Sequence, residues 1–363
     1  MLGVIRFLLS FSVIAFHLTA YIPNLGLLAV NFFYVISGFL ITLVLHESYN
    51  FKFTQFAKNR FLRLYPAYFA VAGISLLLAT TFESYSQFHA SWSTSPTAPD
   101  IFGNLLMFPW AFLADDSVQV NFLQVDFLQS AVPHFRLVPS TWSVGVEIVC
   151  YFFLWLFVAR RMWTTIATIV AASVWQWYVT QTGVNPLLAY FPVPAALLPF
   201  GLGALAFHIT KRTQISAPQK SMAKWITFVI CVLFIANWKL STSSPNLMGS
   251  IYYYANNLLA FLSVLLINRA RHDGFSGKVD KWLGDLAYPM FLGQYVFGFV
   301  AWRIIGITSP IRGTDIFLLG SAITIASSIL IVLIIDKRLL KARNKVRVSA
   351  NQESTLLNLT VRS

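Results

Sequence analysis

Arg6 and His17 are the first ionisable side chains of the chain, eleven residues apart in the otherwise apolar run RFLLSFSVIAFH. Eleven helical residues turn through about 1100°, roughly 20° more than three full turns, so both side chains share one face about 16 Å apart. A guanidinium can hold phosphate. An imidazole can act as a general base or carry an acyl group. A charged side chain at the centre of a membrane helix costs about 2.5–3.5 kcal/mol, so its default reading is functional. The structural alternative has Arg6 snorkelling to the headgroups and His17 completing a hydrogen bond inside a bundle.

Glu147, in STWSVGVEIVCYF, sits at a depth comparable to His17 if its helix runs inward. A carboxylate beside His17 would fix its tautomer and raise its basicity; otherwise Glu147 bonds backbone or another helix. Arg60 and Arg63, in KNRFLRLYP, are three apart and face one way on a helix. They suit bidentate phosphate capture or, more blandly, topological anchoring. Ser37-Gly38 is a small pair that lets helices approach closely. His46 and His272 fall in loops on the Arg-rich side, His208 at a helix end, and His89 and His134 in the longest loop, with His134 the rival external base. There is no metal-ligand spacing, P-loop, GxSxG or dinucleotide fingerprint.

The elements that must position these residues are membrane helices. The chain of 363 residues is 57% hydrophobic and 11% charged, against about 25% charged in soluble domains. At about 20 apolar residues per span, ten all-α spans are expected near 1–21, 26–45, 64–82, 141–158, 162–179, 191–209, 224–238, 249–268, 282–302 and 314–335. With the N-terminus in the cytoplasm, 22 of the 26 Lys and Arg residues fall inside, and the C-terminus returns there. The net charge of +13 is then a topology signal rather than a nucleic-acid patch. Cys150 and Cys231 lie in apolar runs and read as packing residues. One transmembrane domain over 1–343 and a mobile cytoplasmic tail over 344–363 are expected. The external loop 83–140 contains IFGNLLMFPWAFLA, too short to span and better suited to the interface.

Together these pieces resemble the acyltransferase-3 family of integral membrane acyltransferases. The family's arginine, ten residues, then histidine is matched by Arg6 and His17, and its FFVLSGFL element by FFYVISGFL. Its Arg-x-x-Arg before Tyr-Pro is matched by Arg60, Arg63, Tyr65 and Pro66, and WSLSVE by WSVGVE with Trp142, Ser143 and Glu147. LGDLAYPMFLGQ is similar to LG-x-x-SYSLYL-x-H, with Gln294 where a final histidine is common; Asn31 replaces an acidic residue. The resemblance implies transfer of an acyl group, usually acetyl, from cytoplasmic acyl-CoA to a hydroxyl of an exported, surface or lipid-linked glycan. It implies no permanently bound cofactor and no metal, a bacterial plasma-membrane location, and other glycan-assembly proteins as partners. Arg6, Arg60 and Arg63 would hold the CoA phosphates. His17 would be the catalytic base or acyl carrier, oriented by Glu147, with Ser37 near the oxyanion. Trp142 would contact substrate, and Tyr85, Phe88, Trp92 and Trp110 would stack on sugar or anchor the loop. The competing reading is a proton-coupled transporter with His17 and Glu147 as its relay.

Overall fold

The computed structural model describes residues 1–19, 22–115, 129–130, 132–182, 185–213, 220–244, 246–267, 275–306, 308 and 312–347. His272 and tail residues 348–363 lie outside them. Alternation of long apolar runs with short basic or polar connections produces helices α1 (Leu2–Leu18), α2 (Leu25–Val44) and α3 (Phe53–Thr81). The long loop forms the short α4 (Tyr85–Phe88) and α5 (Ala98–Leu106). The bundle resumes with α6 (Thr141–Phe153), α7 (Met162–Thr182), α8 (Val193–Thr213), α9 (Lys220–Ser241) and α10 (Ile251–Ile267). It closes with α11 (Phe275–Ile305) and α12 (Thr314–Ile331). The one pairing of extended backbone among the described residues joins Ala114–Asp115 to Gln129–Ser130.

By length and composition, six helical segments suit a membrane crossing: Leu25–Tyr49, Phe53–Thr81, Thr141–Val158, Pro186–Thr213, Ser221–Ser241 and Thr314–Arg347. α1 and α10 are apolar but shorter. The first turns of α11 carry Lys278, Asp280, Lys281 and Asp285, which interrupts its apolar run. From Gly284 to Trp302, however, α11 is the most enclosed helix, packed between α1 and α12. α9 is the most peripheral, with Trp225, Phe228, Val229 and Val232 exposed, as a lipid-facing surface requires.

Two close helix approaches set the site. α2 meets α8 at Gly38 and Gly203; a Cβ on Gly38 would fall on the Phe200 carbonyl, and one on Gly203 on that of Val35. α1 meets α11 where Gly3 and Gly284 stack. Small residues allow backbones this close, the usual device of membrane bundles. Wide π turns extend three helices, at Leu45–Tyr49 after α2, Leu154–Val158 after α6 and Val332–Asp336 after α12. His46 therefore sits in helix rather than loop. Buried Asn31 ties α2 to α10, its amide donating to Tyr253 Oη at 3.0 Å while Asn256 donates to its Oδ1 at 3.0 Å.

Candidate active site

The lining face of α1 opens onto two cavities. Arg6, near its start, enters a chamber of about 450 Å³ that also receives Ser37 from α2, Arg60 and Arg63 from α3, and Glu147 and Tyr151 from α6. His17, near its end, enters a second chamber of about 530 Å³ with Trp142, Tyr190, Phe191, Tyr295, His89 and Arg312. Val30 and Phe291 line both. The three-turn spacing of Arg6 and His17 thus places them in adjoining chambers separated by those two side chains.

Glu147 does not pair with His17. Its Oε1 accepts from Ser37 Oγ at 2.7 Å and from Tyr151 Oη, all three on the arginine side. Comparable depth on two helices fixes one coordinate only, and the side chain of Glu147 turns toward α2. Ser37, whose expected place was near an oxyanion, has its hydroxyl proton committed to this carboxylate. The two groups of the supposed relay therefore bond to different partners.

The contact at His17 Nδ1 is Tyr295 Oη. Tyr295 lies between two imidazoles, its ring centroid 4.6 Å from that of His17 and 4.4 Å from that of His89. Arg312 sits 5.7 Å over the same ring. His89 Nδ1 accepts from the Ser91 amide at 3.0 Å, which puts the proton of the neutral ring on Nε2. His89, not His134, is the second histidine of the chamber. His134 is buried in the long loop, its Nδ1 2.6 Å from Asp100 Oδ1, and lines neither cavity.

On the arginine side, α3 presents Arg60 and Arg63 to one chamber, as their spacing predicts. Arg60 Nη2 donates to Asn59 Oδ1 at 3.2 Å and its guanidinium lies 5.9 Å from the Phe56 ring centroid, while its Nε is buried without a hydrogen-bond partner. Arg343, in the helical continuation of α12, has an equally orphaned Nε; its backbone is held by Asn59 Nδ2 at 3.1 Å. Orphaned buried donors cost free energy; Arg60 lines the chamber, where an anionic ligand would meet its guanidinium, whereas Arg343 is outside the lining. Asp285 also faces this chamber. Asp280 lines it too, but its Oδ1 accepts the Val4 amide at 2.9 Å.

Among the described residues of the long loop, four large aromatic rings pack inward. Tyr85, Phe88, Trp92 and Trp110 are all buried, so they form its core and not an exposed platform for sugar. Tyr85 stacks on Trp92 with centroids 3.9 Å apart, Trp92 Nε1 donates to the Arg136 carbonyl at 2.8 Å, and Arg136 lies 4.8 Å from the Trp110 ring. Of the four, Phe88 alone lines the histidine chamber. α5 begins with a capping box from Thr97 and Asp100 and leaves Ile101, Phe102 and Leu105 exposed, a face suited to the membrane interface. Burial would raise the Asp100 carboxyl, but hydrogen bonds from His134 and Thr97 outweigh it and hold it below its ordinary value.

Tyr295, Arg312, Tyr151 and Arg343 carry no signal of their own in the sequence, and His89 stands there only as a loop histidine behind His134. Aromatic residues are abundant in this chain, and Arg343 was counted as a topology charge. The replaced histidine position, Gln294, is buried beside the chamber, its amide donating to the Phe291 carbonyl at 3.0 Å. It fixes the backbone of the wall residue.

Fold and cavities define a helical membrane protein with three arginines gathered in one chamber and two imidazoles, His17 and His89, in its neighbour. The chain belongs to the acyltransferase-3 family: the family model described as "Acyltransferase domain" matches residues 2–334. It is similar to the peptidoglycan O-acetyltransferase OatA of Listeria monocytogenes, 22% identical over 335 residues that cover 84% of this chain and 50% of that protein. The chain therefore spans about half the length of that relative. No solved structure matches it.

Proposed function

We propose that this protein is an O-acyltransferase of the bacterial plasma membrane. It moves an acyl group, acetyl in the first instance, from cytoplasmic acyl-CoA to a carbohydrate hydroxyl of an exported, surface or lipid-linked glycan. The observation that carries this reading is the pair of chambers along α1, arginine-lined and histidine-lined, meeting at Val30 and Phe291. The bundle is read as ten spans with both termini in the cytoplasm, which puts the arginine chamber on the CoA side. The relative's action on peptidoglycan favours a cell-envelope glycan, with other glycan-assembly proteins as partners.

Arg6, Arg60 and Arg63 hold the CoA phosphates as charge-assisted donors, with the orphaned Arg60 Nε among them. The thioester reaches past Val30 and Phe291 to His17. For His17 Nε2 to be the base, the proton must sit on Nδ1, which then donates to Tyr295 Oη. Nε2 takes the acceptor's proton as the hydroxyl oxygen attacks the thioester carbonyl. The C–S bond breaks, and the thiolate leaves and recovers that proton from the imidazolium. An acyl-histidine intermediate, with the acyl group carried on Nε2, uses the same atoms in two steps. Trp142, T-shaped against Phe191 with centroids 4.7 Å apart, offers an aromatic edge to the sugar. Glu147 acts on the donor side, positioning Ser37 and Tyr151.

Purified protein incubated with radiolabelled acetyl-CoA and a glycan acceptor should release CoA. His17→Ala should lower turnover by about 10²–10⁴-fold, the usual scale of general base catalysis. Equal CoA release from both proteins would refute the role of His17. Proton-coupled flux in vesicles without CoA release would favour the transporter.

A further inference from the structure

A third cavity, of about 550 Å³, opens away from both chambers between the π turn after α2, the α6–α7 connection and the end of α8. Its polar lining is entirely basic or imidazole: His46, Arg160, Arg161, His208 and Arg212. Among the described residues no carboxylate lines it; Glu47, next to His46 in the chain, is outside the lining.

The site is built rather than incidental. Arg160 Nε donates to the Leu156 carbonyl at 2.7 Å and the Trp155 carbonyl at 3.1 Å, and its guanidinium lies 4.8 Å from the Phe51 ring centroid. Arg160 is exposed, yet these contacts tie its guanidinium to the α6–α7 connection at the mouth of the cavity. His46 Nε2 donates to the Ala159 carbonyl at 2.8 Å and its ring stacks on Phe207 with centroids 4.9 Å apart. His208 is 8% exposed, and its Nε2 is buried without a hydrogen-bond partner. Its ring stands edge-on to that of His46, centroids 5.6 Å apart, and the two imidazoles back the arginines in the pocket wall.

The remaining lining is apolar and gives the ligand its second property. Met162, Trp163 and Ile166 continue the pocket onto α7. Trp163, Ile166, Val170, Val174 and Trp177 then follow at helical spacing, and all five are exposed. The surface therefore grades from cationic to apolar along one helix. A free phosphate has no use for that stripe, whereas an amphiphile matches both ends.

We propose that this cavity binds the headgroup phosphate of an anionic phospholipid, held by Arg160, Arg161, Arg212 and His208, with its acyl chains along the α7 stripe. The site is independent of acyl transfer, so it stands or falls separately from the reading above.

The full chain, delipidated in detergent, is exposed to phosphatidylglycerol or phosphatidylcholine and bound lipid is read by native mass spectrometry. Wild type should retain phosphatidylglycerol in preference. Arg161→Gln with Arg212→Gln, both exposed side chains, should reduce that retention on the order of tenfold, about the scale of two basic contacts at a membrane surface. An unchanged unfolding temperature confirms that the double variant is folded, and Arg161→Glu alone gives a second reading. Equal retention of both lipids, or retention unchanged in the variants, overturns the proposal. Inorganic pyrophosphate that binds the lipid-free protein and displaces phosphatidylglycerol would assign the site to soluble phosphates and overturn the lipid assignment.

Discussion

The arginine chamber brings three guanidiniums together with Glu147 and Asp285, whereas the histidine chamber, among the described residues, has no carboxylate and is walled largely by aromatic rings. Both are lined from α1, α2, α6 and α11 and share Val30 and Phe291. The contrast matches two kinds of ligand. A ligand with several negative charges needs fixed cations that themselves require partial neutralisation when dry. A neutral polyol needs ring faces and a few donors and acceptors. Where no carboxylate is at hand, a neutral phenol can orient an imidazole, and Tyr295, with Arg312 over its ring, occupies the place expected of Glu147.

The two-chamber division can be attacked at several points, the largest beyond His17 being the shared wall. Val30→Trp should cut acyl transfer about a hundredfold, the scale of misplacing a reacting group by about an ångström. Acetyl-CoA binding, measured by calorimetry, should persist. Transfer that survives this substitution would mean the acyl group takes another route. Next in size, Arg60→Gln should raise KM for acetyl-CoA by about ten- to a hundredfold with a smaller change in kcat, as expected for a charged hydrogen bond of about 1.5–3 kcal/mol.

Glu147→Gln is a sharper probe with a smaller effect. Because its carboxylate bonds Ser37 and Tyr151, the loss, about fivefold, should fall on KM for the donor. The pH dependence of kcat should stay in place. A displaced pH profile would restore the pairing with His17 and erase the distinction between the chambers. The smallest effect at neutral pH belongs to Asp100. Its folded pKa lies below the unfolded one, so the stability it contributes is complete above about pH 4 and is lost as pH falls through the folded value. Fluorescence of buried Trp92 and Trp110 should report the long loop loosening below about pH 4, and Asp100→Asn should remove that step.

Much of the bundle was legible because apolar runs and basic connections are long-range patterns that need no tertiary knowledge. The expected lining face of α1 was equally readable, since 3.6 residues per turn relate Arg6 to His17 within one element. What could not be read was direction across helices. Glu147 and His17 share a depth, yet rotation of α6 decides which neighbour the carboxylate meets. The resemblance implied that the aromatics of the long loop stack on sugar or anchor the loop, but Tyr68 and Asn104 tie the loop to α3, Tyr68 Oη donating to the Asn104 carbonyl at 2.6 Å, and the rings pack inward. Arg343 was indistinguishable from its neighbours in DKRLLKARNKVR until the helix carrying it was seen beside Asn59.

The π turn at Val332–Asp336 decides that last placement. A π turn holds one residue more than an α turn, so it resets the angular phase of everything beyond it by about 100°. Were that residue deleted, the remaining helix could keep every backbone bond and every side chain. Arg343 would nonetheless point about a quarter-turn away, off the Arg60 and Arg63 side of the bundle. The positive charge near the donor chamber is thus written partly in a length, one residue of spacing.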